Sequence, residues 1–466
     1  MNYISTRGQA PVLPFDDVLL TGLARDGGLY VPESWPALTA NDFASLKGLS
    51  YADLAFQVIR PFIGGTIKDD DLAALVADAY AGFDDPAVAP LRKSGDNEWV
   101  MELFHGPTIA FKDYALQLVG RLFDHVLKAR GAHVTIAVAT SGDTGSAAIE
   151  ACRGRDAIDI FVLHPRGRVS DVQRRQMTTV TDTNVHNIAF DGTFDDCQNT
   201  VKALFNDHAF RDANNLSAMN SINWARILGQ VVYYVRAALE INEASAPVAF
   251  SVPTGNFGNV FAGYVARQMG LPISQLVVGS NSNDILTRFF ETAAMQTGTV
   301  VPTISPSMDI QISSNFERLV FDLYGRDGAR VADAMETFAA TGAFEMDRAA
   351  YDKARELFDG ACFDDEATKA TIKAVYDETG LLLDPHSAVG LAAARAKRRD
   401  AGVPMIALAT AHPAKFPDAV LAATGLRPDL PPHLADLFER DERMDDLPND
   451  LAAVKNYITA KRARTP

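Results

Sequence analysis

The chain has 466 residues, of which 47% are hydrophobic, and its formal net charge at pH 7 is −16. This length and composition suffice for about two to three domains with buried cores. A strongly acidic surface repels the phosphate backbone of nucleic acids, so we expect no nucleic-acid partner.

Cysteine usage and hydropathy indicate a reducing, aqueous compartment. Cys152, Cys197 and Cys362 are far apart and form neither a redox motif nor a metal motif, so we expect reduced, buried thiols. The segment from Met1 to Gln9 is polar, and the chain contains no charge-free run of about 18 apolar residues. We therefore expect a cytoplasmic protein without membrane association. No feature of the sequence indicates an obligate protein partner.

Residues 1–95 are predicted to form a separate, mostly helical subdomain. Residues 22–36 are rich in turn formers. Beyond them, apolar side chains recur at the spacing of one buried helix face, namely Leu46, Tyr51, Leu54, Ala55 and Val58. This part of the chain is therefore expected to contain an amphipathic helix.

From Trp99 onward, short apolar runs alternate with helical patterns. The predicted strands are Trp99–Phe104, Val134–Ala139, Ile158–Leu163, Val185–Phe190, Val248–Val252, Leu276–Gly279 and Met405–Ala409. The predicted helices are Asp113–Lys128, Ser146–Arg153, Asp195–Phe205, Val260–Met269, Phe416–Ala423 and a final helix with the apolar face Leu451, Val454 and Ile458. This alternation predicts an α/β fold of parallel sheets flanked by helices, with main domains over 96–240 and 241–466.

Three motifs follow predicted strands, which is where parallel sheets bind their ligands. The first, FHGPTIAFKD over 104–113, places Lys112 near the start of an apolar helix. The helix dipole and burial both lower the pKa of an ammonium there, and a neutral amine is what a Schiff base requires. The alternative is an ordinary lysine that reaches solvent.

The other two motifs are candidate anion cradles. In PTGNFGN, over 253–259, two glycines let the backbone N–H groups approach a phosphate before a helix begins, and the alternative is a tight turn. In ATSGDTGS, over 139–146, free N–H groups at a helix start suit a carboxylate or phosphate, and the alternative is that Ser141 or Thr144 simply caps the helix. One lysine and two cradles fit pyridoxal phosphate and an amino-acid substrate.

With further motifs, the sequence resembles the threonine synthase family, and most closely the long form found in fungi and many bacteria. The resemblance covers nearly the whole chain and is carried by HGPTIAFKD, SGDTGSAA, NSINWAR (220–226), PTGNFGN, SSNFER (313–318), DPHSAVG (384–390) and ATAHPAKF (409–416). It implies the tryptophan-synthase-β-like fold, fold type II of pyridoxal-phosphate enzymes, with two main domains and an N-terminal subdomain.

The resemblance also implies roles for individual residues. Lys112 is the implied Schiff-base lysine, and Thr410 is implied to meet the pyridine nitrogen of the cofactor. The implied cofactor phosphate loop is Gly255, Asn256, Phe257, Gly258 and Asn259. Many enzymes of the wider fold carry Asn where this chain has Asp143, so a direct cofactor contact from Asp143 is not implied.

The implied reaction is that of a carbon–oxygen lyase, which converts O-phospho-L-homoserine and water to L-threonine and phosphate in the last step of threonine biosynthesis. The implied substrate-binding candidates are Ser141, Asp143, Thr144, Asn220, Arg226, Asn315 and Arg318. Arg226 and Arg318 suit a bidentate phosphate clamp, and the alternative is that they form ion pairs between domains. His105, His386 and His412 lie in motifs, where they are either structural or catalytic. The other six histidines show no ligand spacing, so we expect no catalytic metal.

Two other functions are compatible with these motifs. A serine or threonine dehydratase of the same fold would more often carry a run of glycines in the phosphate loop, and it would need no site for a substrate phosphate. A catalytically silent ligand-binding relative is the second alternative, and the intact Lys112, GNFGN and Thr410 argue against it.

Overall fold

The computed structural model describes residues 1–243 and 245–462. Its strands are β1 (Asn2–Ser5), β2 (Leu13–Pro14), β3 (Tyr30–Pro32), β4 (Leu91–Gly95), β5 (Glu98–Glu102), β6 (Val134–Ala139), β7 (Ile158–Pro165), β8 (Val185–Phe190), β9 (Leu216–Ser217), β10 (Val248–Pro253), β11 (Ile273–Ser280), β12 (Ala294–Gln296), β13 (Ala343–Glu345), β14 (Phe358–Cys362), β15 (Met405–Ala409) and β16 (Asp445–Leu447).

The α-helices are α1 (Phe15–Thr21), α2 (Ala40–Leu46), α3 (Tyr51–Ile63), α4 (Asp69–Tyr80), α5 (Lys112–Arg130), α6 (Asp143–Cys152), α7 (Asp171–Thr178), α8 (Phe194–Asn206), α9 (His208–Ala213), α10 (Trp224–Ile241), α11 (Gly258–Gln268), α12 (Ile285–Thr292), α13 (Phe316–Leu323), α14 (Gly328–Thr341), α15 (Arg348–Leu357), α16 (Asp365–Thr379), α17 (Pro385–Lys397), α18 (Pro417–Thr424) and α19 (Leu451–Lys461). Short 3-10 turns occupy Pro306–Met308, Pro413–Lys415 and Pro432–Leu434.

The N-terminal region combines four helices with a small antiparallel sheet of order β2-β1-β3. The predicted amphipathic helix is α3, which buries Tyr51, Leu54, Ala55 and Val58. Leu46, which was placed on the same face, instead ends α2, because the segment between the two helices forms a turn and Ser50 caps a new helix start by accepting the N–H of Asp53.

Two parallel sheets carry the rest of the fold. One has the order β14-β11-β10-β15-β5-β4 and is parallel except for its edge strand β4, and the other has the order β16-β8-β7-β6-β9. All seven predicted strands are confirmed, as are the five predicted helices and the final helix α19, which buries Val454 and Ile458.

The two sheets do not follow the predicted boundaries at 96 and 241. Strand β5 pairs with β15, with Glu98 opposite Met405, although these strands lie in different predicted domains. Strand β16 near the C-terminus pairs in turn with β8. Sheet membership is set by non-local hydrogen bonds, which a sequence pattern does not report. Cys362 also departs from expectation, since it is exposed at the end of β14, whereas Cys152 and Cys197 are buried.

The residues that the motifs single out lie at the ends of three parallel strands. Strands β6, β10 and β15 end at Ala139, Pro253 and Ala409, directly before the residues that the motifs single out. Close packing of α5 against α10 needs glycine, because a Cβ on Gly229 of α10 would lie 2.9 Å from Ala115 Cα of α5.

Across the described chain, no helix has the length and apolar character needed to cross a membrane.

Candidate active site

Lys112 is the first residue of α5 and is buried, with 8% of its surface exposed. Its Nζ lies 3.2 Å from Oδ2 of Asp143 and 5.0 Å from the centre of the Phe111 ring. Burial lowers the pKa of Lys112, Asp143 acts in the opposite direction, and the positive charges of Lys415 and Arg226 lower the pKa further. The net result is a pKa below the ordinary value for lysine, which favours the neutral amine.

The loop that precedes Lys112 is fixed against the chain that follows β15. The N–H of Leu103 donates to Ala409 O at 2.8 Å, and the N–H of Phe111 donates to Thr410 O at 2.9 Å. These bonds bring Lys112 and Thr410 to the same edge of the sheet, as the sequence predicts.

Asp143 receives hydrogen bonds on both carboxylate oxygens. Its Oδ1 accepts from Gln173 Nε2 at 2.8 Å and lies 2.9 Å from Lys415 Nζ, while its Oδ2 accepts from Ser307 Oγ at 3.2 Å as well as from Lys112. Burial raises the pKa of Asp143, but the charges of Lys112 and Lys415 outweigh it and hold that pKa well below its usual range. Asp143 is therefore an ionised partner of the lysine.

The loop over 139–146 offers unused donors at the start of α6. The Thr140 hydroxyl accepts the N–H groups of Gly142 and Gly145, both at 2.9 Å. In the described part of the chain, the N–H groups of Ser141, Asp143 and Thr144 donate to nothing, and the hydroxyls of Ser141 and Thr144 are free. Neither Ser141 nor Thr144 caps α6, so the helix-cap alternative does not apply to them, and their donors are available to an anion.

The loop over 253–259 forms a second cradle between β10 and α11. None of the backbone N–H groups of 255–259 donates a hydrogen bond to another described residue. Phe257 adopts a left-handed backbone with φ of 63°, directly before α11 begins at Gly258. A Cβ on Gly255 would lie 3.1 Å from Ser307 O, and the Nδ2 of Asn259 is buried without a partner. This arrangement suits a phosphate.

The two candidate arginines have different surroundings. Arg226 is buried on α10, its Nε and Nη1 have no partner among the described residues, and burial lowers its pKa to about 10. Arg318 donates to Tyr30 O at 3.1 Å, to Ile222 O at 2.6 Å and to Asn315 Oδ1. Arg318 therefore ties the protein together, whereas Arg226 is left available to an anion.

Asn315 and Asn220 also differ in their placement. Asn315 donates through Nδ2 to Asn256 O at 3.1 Å and to Ser221 O at 3.2 Å, so it connects the second cradle to the segment that precedes α10. Asn220 is exposed, and its side chain forms no hydrogen bond with the described residues.

Thr410 is buried, and a neighbouring motif holds its backbone. Its N–H donates to Ser387 Oγ at 2.9 Å. The 3-10 turn that follows is capped by His412, which accepts the N–H of Ala414 at 3.2 Å, so Thr410 does not act as the cap. The Thr410 hydroxyl forms no hydrogen bond with the described chain and remains available.

The motif histidines have structural partners. His386 accepts the N–H of Ser307 at 3.1 Å on Nε2 and lies 2.8 Å from Asp384 Oδ1 through Nδ1. Both ring nitrogens of His105 contact carboxylates, Asp84 at 2.7 Å and Glu102 at 3.0 Å. The described residues contain no cluster of His, Cys, Asp or Glu suited to a metal ion.

Comparison with known proteins places the whole chain. Family models match residues 2–80 (Threonine synthase N terminus), 86–346 (Pyridoxal-phosphate dependent enzyme) and 387–458 (Threonine synthase, C-terminal). The threonine synthase of Pseudomonas aeruginosa is 58% identical over 98% of both chains. The chain belongs to the threonine synthase family.

Solved threonine synthases share the whole architecture. The pyridoxal-phosphate-bound enzyme from Brucella melitensis is 53% identical, with a TM-score of 0.97 over 99% of each chain. The yeast enzyme is 39% identical, with a TM-score of 0.93 over 99% of this chain and 98% of that one. The predicted fold is confirmed, and the threonine synthase family is pyridoxal-phosphate-dependent.

The residues of this site fit that cofactor. A phosphate requires a set of converging donors, and the 255–259 N–H groups are free. A Schiff base requires an amine whose protonated form is disfavoured, and Lys112 meets this condition. Two contributors, Gln173 and Ser307, were not predicted, because they lie outside the motifs, and only the folded chain brings them to Asp143.

Proposed function

We propose that this chain converts O-phospho-L-homoserine and water to L-threonine and phosphate. The observation that carries the substrate assignment is Arg226, a buried guanidinium whose Nε and Nη1 lack partners among the described residues. The 255–259 cradle offers donors enough for the cofactor phosphate, so Arg226 supplies a second anion site. A substrate with its own phosphate needs that second site, and a dehydratase does not.

We assign the cofactor contacts to the residues that the resemblance implies. Lys112 carries pyridoxal phosphate through a Schiff base, and the cradle of Gly255, Asn256, Phe257, Gly258 and Asn259 holds its phosphate. The free hydroxyl of Thr410 would meet the pyridine nitrogen. These assignments are supported by the lowered pKa of buried Lys112, the unused N–H groups and the unbonded hydroxyl.

We assign the substrate contacts to the remaining free donors. Ser141 and Thr144, with the N–H groups of their loop, bind the substrate carboxylate, and Arg226 binds its phosphate. Asp143 acts on Lys112. Asn315 and Arg318 support the site through the protein and do not touch the substrate.

The chemistry divides between the cofactor and the chain. When bound, pyridoxal phosphate withdraws electrons from the carbon skeleton of the amino acid. Lys112, as a neutral amine, removes the proton from Cα of the substrate and later returns a proton. Arg226 stays with the phosphate as its bond to Cγ breaks, which stabilises the developing negative charge. A proton leaves Cβ as the phosphate departs, Cγ takes up a proton to become the methyl group, and water then adds at Cβ to give threonine.

A product assay tests this function. With phosphohomoserine, we expect one phosphate released for each threonine formed. With serine, we expect little or no keto acid. Keto acid from serine at a comparable rate, without threonine from phosphohomoserine, would establish the dehydratase alternative.

We also propose a cytoplasmic location. The three cysteines are unpaired, and free thiols persist in a reducing compartment. Cell fractionation tests this proposal, and recovery with secreted proteins would contradict it.

A further inference from the structure

A second buried lysine lies beside the proposed cofactor lysine. Lys415 has no exposed side-chain surface, and its Nζ lies 2.9 Å from Asp143 Oδ1. Lys112 lies 3.2 Å from the other oxygen, Oδ2, of the same carboxylate. Asp143 therefore bridges two lysines, and its own side chain is only 5% exposed.

Lys415 is fixed as well as buried. Its Nζ also donates to Thr108 O at 2.8 Å, in the motif that carries Lys112. Thr108 is held in turn by Asp113, which accepts its N–H at 2.8 Å and its hydroxyl at 2.6 Å. Lys415 thus has two oxygen acceptors, whereas Asp143 is the one hydrogen-bond partner of Lys112 Nζ in the described structure.

One carboxylate between two amines creates an imbalance of charge. In a buried cluster, charges interact strongly and isolated charge is costly, so one ammonium is enough to neutralise Asp143. Lys415 is closer to the carboxylate, more buried and better provided with acceptors. Lys415 is therefore the better placed counter-ion of Asp143, and Lys112 is the less constrained of the two amines.

We propose that Lys415 is a positioning residue for Lys112: its ammonium neutralises Asp143, so that the carboxylate beside Lys112 does not hold that amine in its protonated form. The proposal rests on the assignment of Lys112 as the cofactor lysine. It also explains how an aspartate can stand in this loop, since a lone carboxylate at this distance would favour the unreactive ammonium.

The other charged groups around the cluster are few. Burial is the largest cause of the lowered pKa of Lys112. The positive charges of Lys415 and of Arg226, on α10, lower that pKa further. His386 on α17 faces Asp143, and Asp113 on α5 interacts with Lys415. Removal of Lys415 leaves Lys112 as the nearest cation to Asp143, so Lys112 is expected to retain its proton to higher pH.

The experiment compares Lys415→Met, Lys415→Arg, Asp143→Asn and the double variant Asp143→Asn/Lys415→Met, with Lys373→Met as a control. Lys373 pairs with Asp377 on the exposed surface, so it matches the charge change without touching the cluster. The first readout is the midpoint of the acid limb of kcat against pH, which reports the freed lysine in the substrate complex.

The second readout does not depend on turnover. Cofactor-free full-length protein is mixed with pyridoxal phosphate at a series of pH values, and the product is fixed with borohydride and mapped to its peptide. The neutral amine of Lys112 adds to the aldehyde carbon, a C=N bond forms, and one water leaves. Borohydride then delivers hydride to that carbon, so the rate of fixation follows the neutral fraction of Lys112.

Lys415→Met is expected to move both midpoints up by about one pH unit or more, the usual effect of a neighbouring charge. Lys415→Arg keeps the charge and stays near the parent, Asp143→Asn moves the midpoints down, and the double variant returns toward the parent. Lys373→Met should not differ from the parent.

Two results would overturn the proposal: a folded Lys415→Met with the parent midpoints, or a double variant whose midpoints stay raised. If Lys415→Met is not properly folded, as judged by the absence of a cooperative unfolding transition, the double variant and Asp143→Asn decide. The double variant removes both charges together and leaves no unpaired buried charge. Failure of the Lys112 assignment looks different, since the parent protein would then show no cofactor fixed to Lys112 at all, and failure of the proposed reaction is seen in the product assay with phosphohomoserine and serine.

Discussion

Ser387 accepts the backbone N–H of Thr410 at 2.9 Å, and the Ser387 hydroxyl is itself held by the carboxylate of Asp384. Asp384 also fixes His386, which binds the N–H of Ser307. The DPHS motif thus positions Thr410 at one side of the site and Ser307 at the other. Because the backbone of Thr410 is fixed and its hydroxyl is free, its side chain is available to a ligand.

Substitution of Thr410 tests its assignment to the pyridine nitrogen. Thr410→Ser keeps a neutral hydroxyl and should keep most of the activity. Thr410→Asp should still bind cofactor, but its carboxylate favours a protonated pyridine nitrogen. We expect a changed cofactor absorbance spectrum and a loss of about tenfold or more in kcat, equivalent to about 1.4 kcal/mol or more. An Asp variant with the parent spectrum and rate would remove Thr410 from the site.

The two buried arginines provide a matched pair of variants. Arg226→Met should raise KM for phosphohomoserine by about tenfold or more, since a hydrogen bond to a charged group contributes about 1.5–3 kcal/mol. Its cofactor-free form should be at least as stable as the parent, because a buried cation without full pairing is removed.

Arg318→Met should show the opposite pattern, with lower stability and little change in KM. It leaves the carbonyls of Tyr30 and Ile222 without their donor, so we expect about 2 kcal/mol or more of lost stability in denaturant unfolding. An unchanged KM in Arg226→Met would contradict its assignment to the substrate phosphate.

Replacement of Gly255 tests the phosphate cradle. A Cβ there would lie 3.1 Å from Ser307 O and 3.2 Å from Met308 Cα, so Gly255→Leu must displace the loop. We expect the Kd for pyridoxal phosphate, measured by fluorescence titration of cofactor-free protein, to rise about tenfold or more. Gly82→Leu is the control, because nothing lies within 4 Å of a Cβ at that position. Equal affinity in both variants would count against the cradle.

His105 makes part of the stability dependent on pH. Burial lowers its pKa, but the hydrogen bonds to Glu102 and Asp84 outweigh burial and raise the pKa above the ordinary value. A group whose folded pKa is raised contributes stability below its unfolded pKa, near 6.5, and loses it as pH rises through the folded pKa. The Tm difference between the parent and His105→Gln should therefore be largest near about pH 5.5 and should shrink toward about pH 8.5. A difference that grows with pH would contradict this account.

The sequence predicted the elements that depend on local pattern. The strands Val134–Ala139 and Val185–Phe190 have the predicted bounds, because a buried parallel strand is a continuous apolar run between turn residues. The positions of Lys112, the two cradles and Thr410 at strand ends follow from the same pattern, because each motif directly succeeds such a run.

The sequence did not predict the contacts between distant segments of the chain. Ser307 reaches Asp143 from a 3-10 turn in the connection between β12 and α13, which carries no motif at that point, and Lys415 reaches the same carboxylate from beyond β15. Arg226 and Arg318 both stand in polar motifs, and only the fold shows that one has partners and the other lacks them. Such distinctions depend on three-dimensional packing, which local periodicity does not encode.

The most direct test of the account is to locate the lysine that carries the cofactor. Because Lys112 and Lys415 both contact Asp143, a bound chromophore alone does not distinguish them. The purified protein is reduced with borohydride, digested and mapped by mass spectrometry, beside Lys112→Ala treated in the same way. The account predicts pyridoxal phosphate fixed to the peptide with Lys112, and none fixed in the variant. Cofactor fixed to Lys415, or retained as a reducible adduct by Lys112→Ala, would contradict it.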